Sequence, residues 1–492
     1  MRQWLQVDRS DNVATALTDI AAGTRLAIAA GEVAVAEDVA RGHKLALASI
    51  SAGEPVIKFG FPIGRARAAI APGEHVHSHN LATALATSGT YHRRPAAVPV
   101  PLPSTRTFEG YVRADGRVAT RNEIWVLPTV GCVGRTAERI ARAGAARHAG
   151  RIDGIHAFQH PFGCSQLGDD LAGTRRILAA LANHPNAAGV LLVGLGCEEN
   201  QLDELLAELP PERRAVVRQV AAQLADDELE SGAAALDDLV EIAAPARRST
   251  VPLSALVLGV KCGGSDGLSG LTANPLVGRL TDAVAGAGGS AILTEIPEIF
   301  GAEQMLMDRA SDEAVFRRTV ALVNDFKQYF VNHGQPVSEN PSPGNVAGGI
   351  TTLEEKSLGA VQKGGHAPVN DVIRYGERAS VAGLTLLEAP GNDAVSATAL
   401  TAAGATVILF TTGRGTPLGF PVPTVKIASN SALAERKPGW IDFDAGQVLD
   451  HGMDASAEAL LDTVAAIASG RETRAERNEE REIAIWKRGV TL

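Results

Sequence analysis

Cysteine is scarce in this sequence, with four in 492 residues, and aromatic residues make up only 4%. The gaps between the cysteines match neither a CxxC pair nor a zinc ribbon, so free thiols in a reducing compartment are expected rather than a disulfide framework. No stripe rich in lysine and arginine is interleaved with aromatics, and the net charge is −10. Nucleic acid and an anionic membrane are therefore poor partners. Long apolar runs are lacking too: nothing approaches the roughly 20 residues of a membrane span, and MRQWLQVDRSDN has no apolar core of the signal-peptide kind. A cytoplasmic protein with a small-molecule substrate is the expectation. If that substrate is an anion, the site must build its own positive field.

What is present is an ordinary globular composition, 45% hydrophobic and 21% charged, with 51 glycines that imply many tight turns. The length suits about three domains. Residues 1–87 alternate short apolar stretches with glycine turns and read as a β-rich module. Residues 88–107 hold prolines at 95, 99, 101 and 103 and read as an extended linker. Residues 108–247 and 248–492 each alternate apolar runs with helical stretches, the pattern of α/β domains with mainly parallel sheets. Within them, 209–243 reads as charged and helical, and the final stretch DTVAAIASGRETRAERNEEREIAIWK as a largely solvated helix. No internal repeat aligns.

Each cysteine closes a short apolar run beside glycine: IWVLPTVGC at Cys132, IHAFQHPFGC at Cys164, VLLVGLGC at Cys197 and LVLGVKCGG at Cys262. Such runs read as buried strands, and parallel strands deliver their ends to one edge, where ligands bind. The four thiols are expected to converge on one crevice, near His160 and Arg414. The plainer alternative is that each is a small buried hydrophobe.

Several strings carry polar chemistry. GEHVHSHN places His75, His77 and His79 at alternate positions, which share one face if the segment is extended, and neutral imidazole is a common metal ligand. VLLVGLGCEENQ has a Gly-x-Gly after a strand, but the third glycine is missing and Glu198 and Glu199 stand where a pyrophosphate needs positive potential, so NAD is not expected. FTTGRGTPLG offers turn N–H groups and the Arg414 fork to a carboxylate. KCGGSDGLSGLTANP brings Lys261, Ser265, Asp266 and Ser269 onto one loop suited to a polyhydroxylated ligand. His160, at the strand end that carries Cys164, is the best-placed histidine for proton transfer.

These strings, with FEGYVRADGRVATRNEIWVLPTVGC, HPFGCSQLGDD, EIPEIFGAEQ and NPSPGNVAGGITTLEEKSLG, resemble the altronate/galactarate dehydratase family over essentially the whole chain. The resemblance implies a small SAF (β-clip) module at the N-terminus, followed by two α/β domains. GEHVHSHN, VNDFKQYF and the ending GVTL are similar to the altronate branch; the galactarate branch lacks the histidine string. The implied reaction is dehydration of D-altronate to 2-dehydro-3-deoxy-D-gluconate in hexuronate catabolism, assisted by Fe²⁺, Mn²⁺ or another divalent ion. On this reading His75, His77 and His79 are assigned to the metal, Arg414 to the carboxylate, Ser265 and Asp266 to hydroxyls, and His160, with Lys426 as the alternate, to acid–base work. An Fe–S cluster on the four cysteines is the less favoured use of the thiols, because a Lewis-acid ion already meets the chemical need. A homodimer is the default assembly. Rival readings are a galactarate dehydratase, a sulfo-lyase of the same family, and a sugar-acid sensor without turnover.

Overall fold

The computed structural model describes residues 3–29, 31–95 and 105–489; residues 96–104 of the expected proline-rich linker lie outside them. Antiparallel pairing builds the whole N-terminal module. Trp4–Leu5, Val13–Ala16, Lys44–Ala46 and His75–Val76 form one sheet in that order, Pro55–Lys58, Phe61–Ala66 and Leu81–Ala82 a second, and Arg25–Ile28 with Gly31–Ala34 a hairpin. A repeat unites them. Ile20 bridges Val39 and Ile50 bridges Ile70, and three residues after each stands a glycine with left-handed backbone: Gly23, Gly42, Gly53 and Gly73, at φ of 80°, 85°, 82° and 87°. Only glycine enters that region without strain. One apolar residue and one glycine per unit is too sparse a signal for the repeat to be aligned from the sequence.

Four parallel strands form the middle sheet, in the order Gly154–Ala157, Glu123–Pro128, Ala187–Gly194, Val217–Ala221. The two central strands are buried at every residue, which is why their sequences read as unbroken apolar runs. Val217–Ala221 departs from the helical reading of 209–243: it is an edge strand, and its polar Arg218 and Gln219 disguise the pattern.

The C-terminal sheet has seven parallel strands, ordered Val369–Ile373, Gly383–Leu387, Ser290–Leu293, Val257–Cys262, Val407–Thr412, Thr424–Ala428, Phe443–Asp444. From the central Val257–Cys262 the chain first winds outward on one side and later on the other. The crevice of such a sheet opens at that switch point, beyond the strands' carboxyl ends.

The tail is not a solvated helix. After helix Met453–Ala468 and the single turn Arg474–Arg477 it runs irregularly, with Ile483, Ile485 and Trp486 buried. Arg121 grips Glu476 through two hydrogen bonds of 2.8 and 2.9 Å. The N–H groups of Arg488 and Gly489 donate to the Asp170 carboxylate, tying the C-terminal segment to the middle domain. No helix among the described residues is long and apolar enough to cross a membrane.

Candidate active site

A cavity of about 970 Å³ opens beside the end of Val257–Cys262, lined by Gly263, Gly264, Glu298, Asn340, Asn345, Lys356 and Asp393, with Phe326 and Phe330 among its apolar lining. Its polar floor is an ion network. Lys356 donates to Glu298 (2.8 Å), Asn340 (3.0 Å) and Asn345 (3.2 Å). Lys261 donates to Glu295 (2.9 Å), Asp393 (2.7 Å) and Ser396 (3.0 Å). Lys363 donates to the Cys262 sulfur at 2.9 Å, and that thiol donates to Glu298 at 3.1 Å. Three ammonium groups thus face three carboxylates, the balance that buried charge requires.

Burial alone would raise Glu298, but Lys356 and Lys363 overcome it and hold the carboxyl at about 2. Burial and the neighbouring Glu298 push the Cys262 thiol up to about 12, so it stays protonated. Glu295 sits at a left-handed φ of 67°, a strained placement for a residue with a Cβ. Gly263 is needed for space: a Cβ there would lie 2.6 Å from an Asp393 oxygen and 2.5 Å from Phe410. Asp393 Oδ2 makes no hydrogen bond among the described residues, which leaves it the one carboxylate oxygen of this network without a partner.

Cys262, Glu295 and Glu298 also bring three ligand atoms within 4.8 Å of one another. Their negative charge is already matched by lysines, so a divalent cation fits poorly there.

The sequence-derived candidates divide. Cys262 and Lys261 belong to the network. Arg414 is exposed and does not line the cavity; its Cβ is 3.3 Å from where a Cβ on the lining residue Gly264 would stand. The Asp266 carboxylate is consumed internally, accepting from Ser269 and Ser429 hydroxyls (both 2.8 Å) and the Asn430 amide (3.0 Å), so it is not free for substrate hydroxyls. Ser265 is buried beside it, and its carbonyl accepts from Asn345 at 2.8 Å. His160 is corrected more strongly. Its Nε2 donates to the Pro128 carbonyl at 2.8 Å, its Nδ1 accepts from Phe162 at 3.2 Å, and burial lowers its pKa, so the ring is a neutral brace with no nitrogen left for proton transfer. Lys426 points its ammonium at the carbonyls of Thr416 and Leu418, with burial lowering it to about 8, and it does not line the cavity.

The histidine string is extended only at His75–Val76; Asn80 then bends it, accepting from the His77 N–H (2.9 Å) and donating to the His75 carbonyl (2.9 Å). Alternation on one strand face is therefore replaced by a turn. The His75 and His77 rings stack at 5.2 Å and 23°, and the His79 ring lies 5.8 Å from that of His75. His77 Nε2 donates to the Val346 carbonyl at 3.0 Å, and His79 is exposed. A fourth imidazole, missed by the sequence reading, faces His75 from the neighbouring strand: His43 Nδ1 lies 3.0 Å from His75 Nε2. The glycine-turn repeat, Gly42-His43 against Gly73-Glu74-His75, is the signal that would have found it. Burial first, then neighbouring positive charge, lowers His75 to about 4, and burial lowers His43 and His77, so all three rings are neutral.

The cysteines separate into three and one. Cys132, Cys164 and Cys197 are exposed at the carboxyl edge of the middle sheet, whereas Cys262 is buried in the other. Hydrogen bonds knit the three loops together: Gly131 N–H to the Phe162 carbonyl (2.8 Å), Asn200 N–H to the Gly163 carbonyl (3.2 Å), and the Asn200 side chain to the Thr129 carbonyl (3.0 Å). Convergence of all four on one network does not occur.

A cavity with a network of compensated charges at the switch point of a parallel sheet, beside a β-rich module, is the arrangement of an α/β enzyme. The family models agree on which one. Residues 2–84 match the SAF domain of altronate/galactarate dehydratases, 110–244 the second domain of D-galactarate dehydratase/altronate hydrolase, and 253–491 the C-terminal D-galactarate/altronate dehydratase domain. Along the full length of both chains, the sequence is 51% identical to altronate dehydratase of Escherichia coli K12 and 48% identical to altronate dehydratase of Bacillus subtilis 168. Galactarate dehydratase (L-threo-forming) of Escherichia coli K12 is 32% identical, with 95% of this chain and 93% of that one covered. The chain belongs to the altronate/galactarate dehydratase family and is an enzyme of it.

Proposed function

We propose that the protein dehydrates D-altronate to 2-dehydro-3-deoxy-D-gluconate. The observation that carries this reading is the cavity lining, which holds both Lys356 and Asp393 with its unpartnered oxygen. Identity near one half to altronate dehydratases, against 32% to the galactarate enzyme, supports the choice of substrate.

The reaction removes the proton at C2, breaks the C3–O bond with loss of water, and leaves an enol that becomes the 2-oxo acid. The ammonium of Lys356, whose three N–H groups already hold Glu298, Asn340 and Asn345, supplies positive field to the carboxylate, whose charge grows as the C2 proton leaves. Asp393 Oδ2 takes that proton and returns it to the departing C3 hydroxyl, which leaves as water. Proton transfer by a placed side chain supplies about 10²–10⁴-fold. A divalent ion on the carboxylate would add charge stabilisation worth several kcal/mol.

Incubating the full chain with D-altronate, D-galactarate and sulfolactate, with and without Fe²⁺ or Mn²⁺, and following 2-oxo acid formation, tests the reading. Turnover of altronate at the highest kcat/KM is expected. Preference for another acid would reassign the substrate, and binding without turnover would make the protein a sensor.

A further inference from the structure

We propose that a second cavity, apart from the charge network, binds a small carboxylate with an apolar body, and that its occupant acts on the enzyme through the turn that carries Lys363. The cavity has a volume of about 310 Å³ and shares no lining residue with the larger one. That size lies at the lower end of the range for small-molecule pockets. Met305, Met453, Val361 and Pro275 supply an apolar wall, and Arg309 with Arg279 the positive charge. Thioethers and a valine are poor partners for a chain of hydroxyls, so a polyhydroxylated acid of the substrate kind does not suit this space.

Arg309 is set as a receptor. Its Nη1 donates to the Gly365 carbonyl, which fixes the guanidinium plane. Nε and Nη2 have no hydrogen-bond partner among the described residues, and together they form the side-on edge that takes both oxygens of a carboxylate in two parallel bonds. The carboxylate whose charge reaches Arg309, that of Asp282, does not fill this edge. It is occupied by the backbone N–H groups of His366 (2.7 Å) and Ala367 (2.9 Å) and by His366 Nδ1 (3.1 Å). Arg279 is 3.3 Å from the exposed Asp454.

One short turn serves both cavities. Val361 and Gln362 line the second from the turn Val361–Gly364, and Lys363 of the same turn donates to the Cys262 sulfur at 2.9 Å. Helix Ala273–Gly286 is pressed against it: the Thr281 hydroxyl donates to the Lys363 carbonyl at 2.8 Å, and a Cβ on Gly278 would collide with the Gln362 carbonyl. A ligand packed on Val361 and held by Arg309, which also grips Gly365, selects one setting of the turn. That setting passes through Lys363 to the Cys262, Glu298 and Lys356 chain.

Isothermal titration calorimetry of the full chain with 4-methylpentanoate tests the site, with 4-methylpentanamide as the uncharged isostere and D-gluconate as the polyhydroxylated acid. One site per chain is expected for the apolar acid, with affinity lower by about tenfold or more for the amide and in Arg309→Gln, since the charge-assisted pair is lost. Because Arg309 also holds Gly365, Met453→Asp is the second variant; it sets a like charge beside the ligand at a half-exposed position and should weaken binding by about tenfold. At saturation the acid should change kcat or KM for the substrate turned over best by about fivefold, and this response should be lost in Arg309→Gln. Absence of binding, equal affinity for acid and amide, displacement of the acid by an equal concentration of gluconate, undiminished binding in both variants, or a kinetic change under twofold overturns the proposal. Binding is read without turnover, so failure of altronate as a substrate overturns the dehydratase reading and not this site.

Discussion

Lys44 of the N-terminal module donates at 2.8 Å to Glu355 of the C-terminal domain, with side-chain exposures of 0% and 2%. The same ammonium donates to the Gly349 carbonyl and the Thr351 hydroxyl, both at 2.8 Å, and Lys58 holds the other Glu355 oxygen at 2.9 Å. The module is therefore locked onto the enzyme body by a sealed ion pair. Removing Lys44 leaves Glu355 to Lys58 alone and takes the donor from the Gly349 carbonyl and the Thr351 hydroxyl, so Lys44→Met is expected to cost about 1–3 kcal/mol. Lys44→Met combined with Glu355→Gln should recover part of that loss in denaturant unfolding; additive losses would show that the two residues do not act as a pair.

Acid should loosen the same seam. Lys44 and Lys58 outweigh burial and hold Glu355 at about 2, below its ordinary 4.5. A depressed carboxyl stabilises the fold fully above 4.5 and loses that stabilisation as pH falls from 4.5 toward 2. The expected loss is on the order of 3 kcal/mol. Calorimetry between pH 6 and pH 2.5 should show a fall in Tm that is shallower in Glu355→Gln; identical slopes would remove Glu355 as its source.

At the cavity, Asp393→Asn keeps shape and hydrogen bonding to Lys261 but cannot take a proton. A drop in kcat of about 10²-fold or more, with the fold intact by circular dichroism, is expected. A change under fivefold would move the base elsewhere.

Arg414→Lys keeps the charge and loses the fork. The expected cost is about 1.5–3 kcal/mol in kcat/KM, the worth of a charge-assisted hydrogen bond. A change under twofold would place Arg414 outside the site.

Thiol chemistry should divide as the burial does. Three thiols are expected to react quickly with an aromatic disulfide reagent, and Cys262, sealed and kept protonated, only on unfolding. Serine variants of Cys132, Cys164 and Cys197 should each remove one fast equivalent. Four fast equivalents would contradict the burial of Cys262.

Local patterns of apolar residues specify the layers of this protein. Runs such as IWVLP and GVLLVG are apolar at every position because both faces of a parallel sheet are covered, and that burial signal is local. The chain also puts a cysteine at the end of each such run, and it carries enough long strings to mark the family. Tertiary structure decided which strand ends share a site. Cys262 meets Lys363 and Glu298, 101 and 36 residues away, because strand order and crossovers bring those loops to one switch point. No periodicity records a choice of partner. For the same reason His160, read as a catalyst from its place at a strand end, proved to be a brace once both its nitrogens met backbone. His43, 32 residues from His75, became its neighbour only through antiparallel register, Leu45 opposite His75. Local patterns encode how deeply a side chain is buried; what it touches is set by how the strands pair and how the domains dock.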